Sequence, residues 1–151
     1  MISEHISYKE STYSTTATRR GIENIPNDSQ LANMELLAEN VFEPLRKYVG
    51  GPIKINSFFR SVKLNKAIGG SGKSQHCHGQ AIDVDDTFGV VANSDMYNYI
   101  KNNLDFDQLI WEFGDDDNPN WVHVSYVSKD ENRRRCLRAS KNKGKTVYSV
   151  I

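Results

Sequence analysis

Ser74-Gln75-His76-Cys77-His78-Gly79-Gln80-Ala81-Ile82-Asp83, answered further along by Trp121-Val122-His123-Val124-Ser125, is the pair of stretches on which the reading of this chain turns. Gln80 to Asp86 alternates as a strand does, so Asp83 and Asp85 share one face while Ile82 and Val84 take the other. Trp121 to Val127 alternates in the same way and carries a histidine. Two strands that bring His76, Asp83 and His123 onto one sheet face would assemble a metal site.

A catalytic zinc takes three nitrogen, oxygen or sulfur ligands and keeps a fourth position open for water. His76, Asp83 and His123 supply two imidazoles and one carboxylate. That set leaves about one net positive charge on the site, which helps acidify water and polarise a carbonyl; thiolates would quench it. The plainer alternative is three ordinary polar residues, since a lone histidine in a strand is more often surface or hydrogen-bonded core than ligand. Gly79 allows a sharp turn between ligands, and Ala81 is small enough for close approach. Asp85, on the face of Asp83, is expected to hydrogen-bond a ligating histidine. In a strand His78 would face the same side as His76 and compete with it, while Cys77 would point away.

The pattern Ser-x-His-x-x-Gly-x-Ala-x-Asp with a later Trp-x-His resembles the zinc D-Ala-D-Ala carboxypeptidase family, which shares its fold with D,D-dipeptidases, phage L-Ala-D-Glu endolysins and hedgehog domains. Thr16-Ala17-Thr18-Arg19-Arg20-Gly21-Ile22-Glu23-Asn24, Ile55-Asn56-Ser57-Phe58-Phe59-Arg60-Ser61, Leu64-Asn65-Lys66-Ala67-Ile68-Gly69-Gly70 and Gln108-Leu109-Ile110-Trp111-Glu112-Phe113 resemble its phage-associated branch in order and spacing. The resemblance covers nearly the whole chain. It implies one zinc held by His76, Asp83 and His123, favours His76 over His78, and implies a substrate among the stem peptides of peptidoglycan. It supports both carboxypeptidase and endopeptidase outcomes.

A zinc peptidase also needs a carboxylate to take a proton from water and pass it to the leaving amine. Several branches of the family place an acid three residues before the last histidine, where this chain has Asn120. Phe106 to Phe113 and Trp121 to Val127, joined by the acidic turn Gly114 to Asn120, read as an antiparallel hairpin that brings Glu112 near His123. Glu112 is therefore the expected base, against the alternative of a cross-strand ion pair. Arg60 corresponds to the arginine that in D,D-dipeptidases contacts substrate and the developing oxyanion, and Ser74 is expected to shape the metal loop and touch substrate. A different class stays open: a zinc-stabilised wall-binding or virion structural module without hydrolysis, which Asn120 favours and Glu112 opposes.

The remaining segments predict α+β architecture, an antiparallel sheet with helices packed on one face. Leu31, Met34, Leu37, Val41, Leu45 and Tyr48 fall at helical spacing over Ser29 to Val49, with Asp28 or Ser29 as cap and a kink or break at Pro44. Pro52 to Phe58 reads as a strand, Val62 to Ile68 as a short helix and Ser94 to Asn103 as a helix capped by Ser94. Arg135 to Ala139 and Thr146 to Val150 close the chain as a hairpin around Lys143-Gly144-Lys145.

Length and composition, 151 residues with 38% hydrophobic and 25% charged, suit one zinc peptidase domain over residues 1–151. Nineteen basic residues balance nineteen acidic ones, so no nucleic-acid partner is expected. The basic carboxyl end reads as the charged face of its hairpin. Cys77 and Cys136 make no disulfide framework, and Asp115 to Asp117 read as a solvated turn rather than a calcium loop. The first residues lack a signal peptide's basic start and apolar stretch, and no run is long enough to span a membrane. A monomer made in the cytoplasm and delivered by phage machinery to the cell wall, or carried in a virion, is the expectation.

Overall fold

The computed structural model describes residues 1–151. Helices α1 (Tyr8–Thr12), α2 (Thr15–Arg20), α3 (Asp28–Leu37) and α4 (Glu43–Val49) precede strand β1 (Lys54–Ser57). Then come α5 (Val62–Ala67), β2 (Ala81–Asp85), α6 (Asn93–Asn103), β3 (Gln108–Glu112), β4 (Trp121–Ser125), β5 (Arg135–Asn142) and β6 (Lys145–Val150). The strands form one six-stranded sheet in the order β1-β2-β4-β3-β5-β6. The class is α+β, as the alternation predicts.

The sheet departs from strict antiparallel order at one seam, where β3 and β5 run parallel. β4 returns beside β3 and ends near its start, where the Asp107 amide donates to the Ser125 carbonyl. A short loop then carries the chain round that end of the sheet, and the Arg134 and Arg135 amides donate to the carbonyls of Phe106 and Asp107. The buried Asp107 carboxylate fastens the loop by accepting from the Arg133 backbone and guanidinium at 2.7–2.9 Å.

Strand pairing sorts the residues by face. Ile55, Ile82, Val84, Val122, Val124 and Leu109 belong to the main core, with Met34, Leu37, Val41 and Leu45 of the long helical segment and Met96 and Ile100 of α6 packed against them. The other face carries Asp83 opposite His123, His123 opposite Ile110, and Glu112 opposite Trp121. One face therefore buries the apolar set against helices, and the other holds the polar one.

The long helix runs from Asp28 to Val49 through a π-helical turn at Ala38–Phe42. Pro44 supplies the reason: it has no N–H, and its ring collides with the carbonyl four residues back. One widened turn, closed by the Glu43 amide donating to the Ala38 carbonyl, relieves the collision without ending the helix. The cap is Asn27 rather than Asp28 or Ser29, in a reciprocal capping box with Gln30. α6 likewise begins at Asn93, after Ala92 and without the expected Ser94 cap; the Ser94 amide, one of the first of the helix, donates to the Asn118 side chain at 2.8 Å. Asn93 is fully engaged: its Nδ2 donates to Asp85 Oδ1 at 2.7 Å and to the carbonyls of Pro119 and Asn120. Asp85 is thereby committed to fixing the turn before β4, and the expected bond from Asp85 to a ligating histidine is not formed.

Candidate metal centre and active site

His76 does not lie on a strand. Gln75–His78 forms a single 3-10 turn, started by Ser74, whose Oγ accepts from the His76 amide at 3.3 Å, and ended by Gly79 at φ +72°. The turn separates the two histidines that a strand would have placed side by side. His76 points inward and is buried, while His78 is exposed and only its carbonyl is used, accepting from Asn33.

Gly79 sits where no side chain fits. A Cβ there would lie 2.4 Å from the Gln30 carbonyl oxygen and 2.7 Å from Met34 Cγ, on a backbone already in the left-handed region. Gly79→Ala is expected to cost more than about 2 kcal/mol in chemical denaturation and to weaken metal binding, since the turn must shift and His76 with it. A variant with unchanged stability and metal affinity would show that the turn tolerates a methyl group.

The proton on His76 is fixed by its neighbour. Nδ1 lies 2.7 Å from the Phe58 carbonyl, which can only accept, so Nδ1 carries the hydrogen. In the neutral ring Nε2 is then a bare lone pair. Burial pulls the His76 pKa down despite the neighbouring Asp83, which favours that neutral form. Nε2 is buried without a hydrogen-bond partner and faces Asp83 Oδ2 at 3.3 Å. A lone pair opposite a carboxylate oxygen is repulsive unless a proton or a cation lies between them, and the hydrogen on Nδ1 leaves the cation as the better fit.

Asp83 is the centre of the cluster. Its Oδ1 lies 2.9 Å from His123 Nδ1 and its Oδ2 lies 3.4 Å from an Arg60 guanidinium nitrogen. Burial works to raise its pKa, yet the adjoining His76 and His123 hold the carboxyl well below the usual carboxylate range. Ligand atoms of His76, Asp83 and His123 all lie within 4.8 Å of one another, so this group can hold a metal ion. Cys77 is half-buried, with its thiol pushed up by burial, and stands outside the group.

Glu112, at the end of β3, is buried on the same sheet face. Burial pushes its carboxyl up to about 7; His123 pulls against this, Asp83 adds to it, and Arg60 opposes it. No lysine or arginine pairs with it, so the cross-strand ion pair is not what it forms. Asn120 is exposed at the mouth of the turn, donating its amide to the Glu112 carbonyl, and is not part of the cavity wall.

Arg60 is held on three sides. Nε donates to Ser57 Oγ at 3.0 Å, Nη1 to Asn65 Oδ1 at 3.2 Å and Nη2 to Asp83. Asn65, buried on α5, in turn donates to the Ser71 carbonyl at 2.8 Å and ties Arg60 to the loop before the metal turn. Arg60, Ser74, His76, Asp83, Glu112 and His123 all line one cavity of about 710 Å³. Sequence reasoning did not find Asn65 or Ser57 as supports, nor Tyr148 and Arg135, which β5 and β6 bring to the same cavity.

A search of curated proteins finds no match to the chain. The family model for Peptidase M15 matches residues 4–125. The chain belongs to the Peptidase M15 family. The matched segment of this M15 peptidase contains all six residues named from the sequence and ends with β4. The β5–β6 hairpin lies beyond it.

Proposed function

We propose that this M15 peptidase is a zinc metallopeptidase that hydrolyses peptide bonds in the stem peptides of peptidoglycan. The observation that carries the metal part is the buried, unpartnered Nε2 of His76 aimed at Asp83 and His123. Zinc bound by His76, Asp83 and His123 supplies a Lewis acid for the scissile carbonyl and for water. The rest falls to the protein's own groups. Glu112, with a pKa pushed up to about 7, accepts the proton of the attacking water and returns it to the leaving amine. Arg60, oriented by Ser57 and Asn65, presents its guanidinium to the negative charge developing on the carbonyl oxygen. Ser74 shapes the turn that carries His76 and offers its hydroxyl to the substrate from the cavity wall.

The choice of peptidoglycan rests on the likeness of the Ser74–Asp83 and Trp121–His123 motifs to wall peptidases, which also supports a monomer acting in phage or prophage lysis, at the wall or from a virion. A non-catalytic zinc-stabilised wall-binding or virion module would explain the ligand group but leaves a buried, unpaired Glu112 with raised pKa unaccounted for. Purified protein incubated with peptidoglycan is expected to release new amino groups, and a chelator is expected to stop it. Product masses assign the bond. Full zinc occupancy with no release from any wall chemotype would overturn the peptidase reading in favour of the binding module. No helix is long and apolar enough to cross a membrane.

A further inference from the structure

The hairpin beyond the M15-matching segment extends the site face. Pairing places Leu137 beside Ile110, and sets Ala139 between Glu112 and Tyr148. Ala139 is buried with Ile110 and Leu137, and Tyr148, Leu137 and Arg135 of the hairpin line the cavity. With strands about 4.8 Å apart, β5 and β6 carry the cavity about 10 Å past Glu112, which is room for residues flanking a scissile bond.

Charge along this hairpin is disposed in two ways. Arg133 pairs with Asp107, Arg138 pairs with Asp116, and Arg134 donates to the carbonyls of Leu104 and Lys101. Arg135 stands among them, pairs across to Gln108 on the site face, and lines the cavity with no hydrogen bond or ion pair to its guanidinium. Lys73, on the loop before the metal turn, lines the same cavity and is also without a carboxylate partner. The acids in that wall are Asp83 and Glu112, and both belong to the site already described. The outer cavity therefore presents three cations without a carboxylate partner, of which Lys141 is engaged by Thr146 Oγ1 at 3.0 Å and lies over the Phe113 ring, leaving Arg135 and Lys73 free.

We propose that Arg135, assisted by Lys73, forms a subsite for a carboxylate carried by the substrate peptide away from the scissile bond. This deepens the peptidase reading and rests on it. A guanidinium donates two parallel N–H bonds to a carboxylate, and the exposure of Arg135 keeps the gain modest and sensitive to salt.

The test is calorimetric binding to zinc-loaded Glu112→Gln protein, which spares the peptide. Two synthetic stem peptides are compared, identical except that one carries a free glutamyl carboxylate and the other its carboxamide. The free carboxylate is expected to bind about tenfold more tightly, the ratio falling as salt is raised. Adding Arg135→Gln is expected to bring the two within about twofold, whereas Arg138→Gln, which removes a cation engaged with Asp116, preserves the preference. Equal affinities, absence of binding by both, or a preference that survives Arg135→Gln would overturn the subsite. Turnover by the unsubstituted enzyme is read separately. Preference without turnover would refute the peptidase reading and keep the subsite; turnover without preference would do the reverse.

Discussion

Glu112→Gln is expected to lower kcat on the order of a thousandfold while zinc content and fold are retained. The glutamine fills the same space at the end of β3 but can neither take a proton from water nor return it to an amine. The metal group is left whole, because Glu112 is not among His76, Asp83 and His123. A second readout separates the carboxyl from mere packing. In metal-free protein the Glu112 pKa stands at about 7 against an ordinary 4.5, so the folded state holds this proton more tightly than the unfolded chain. That contribution is fully present below about 4.5 and is lost as pH rises through about 7. Denaturation of the metal-free parent relative to the metal-free variant is expected to show a loss of up to about 3 kcal/mol over that window. His76, whose pKa burial lowers, contributes the opposite slope but is common to both proteins and drops out of the comparison. Undiminished hydrolysis in the variant would remove Glu112 from the mechanism, and identical pH profiles would show that its carboxyl is not held protonated.

The parts of the fold that could be read from the sequence are those where period and burial agree. Ile82 and Val84 alternate against Asp83 because one sheet face meets Met34, Leu37 and Val41 and the other meets the cavity. The long helix was legible through the same core residues, and Pro44 announced an irregularity without saying which kind. A π turn and a break satisfy the proline equally well locally; the core contacts of Val41, Phe42 and Leu45, all buried, decide for continuity. The parallel seam was not legible, since it depends on Arg133 clamping Asp107 across the chain reversal. α1 and α2 were also missed. Their signals are the serine caps Ser7 and Ser14, which hold helices too short for any periodicity to show.

At the site, residue types were legible and their supports were not. His76, Asp83, His123, Glu112 and Arg60 stand out because each brings a charge or a lone pair to a segment otherwise built for burial. Gly79 makes the sharp turn between ligands that the sequence suggests, but the single 3-10 turn before it, which sorts His76 from His78, is too short for any periodicity to show against a strand. Asp85 was misassigned because facing the same side as Asp83 says nothing about which neighbour reaches it first, and Asn93 does so from α6. The oxygen that orients His76 is the backbone carbonyl of Phe58, and a backbone group leaves no mark in a sequence.

Removing the metal is expected to cost the protein more than any single surface change. With free zinc at about a thousand times its Kd, binding to the folded state alone adds about 4 kcal/mol. For a chain of this size that corresponds to a fall in Tm of about 10 °C on chelation. One ring of the group is oriented by the fold itself: the Phe58 carbonyl holds the His76 ring from behind, and Phe58 is buried in the main core. His76→Ala and His123→Ala should each lose zinc by metal analysis and show no further fall in Tm when chelator is added. Their Tm values should sit near that of the chelated parent, because the dominant loss is the same in all three. Full zinc occupancy in both variants would refute the ligand group, and a parent whose Tm ignores chelation despite holding one zinc would place the ion somewhere other than this cluster.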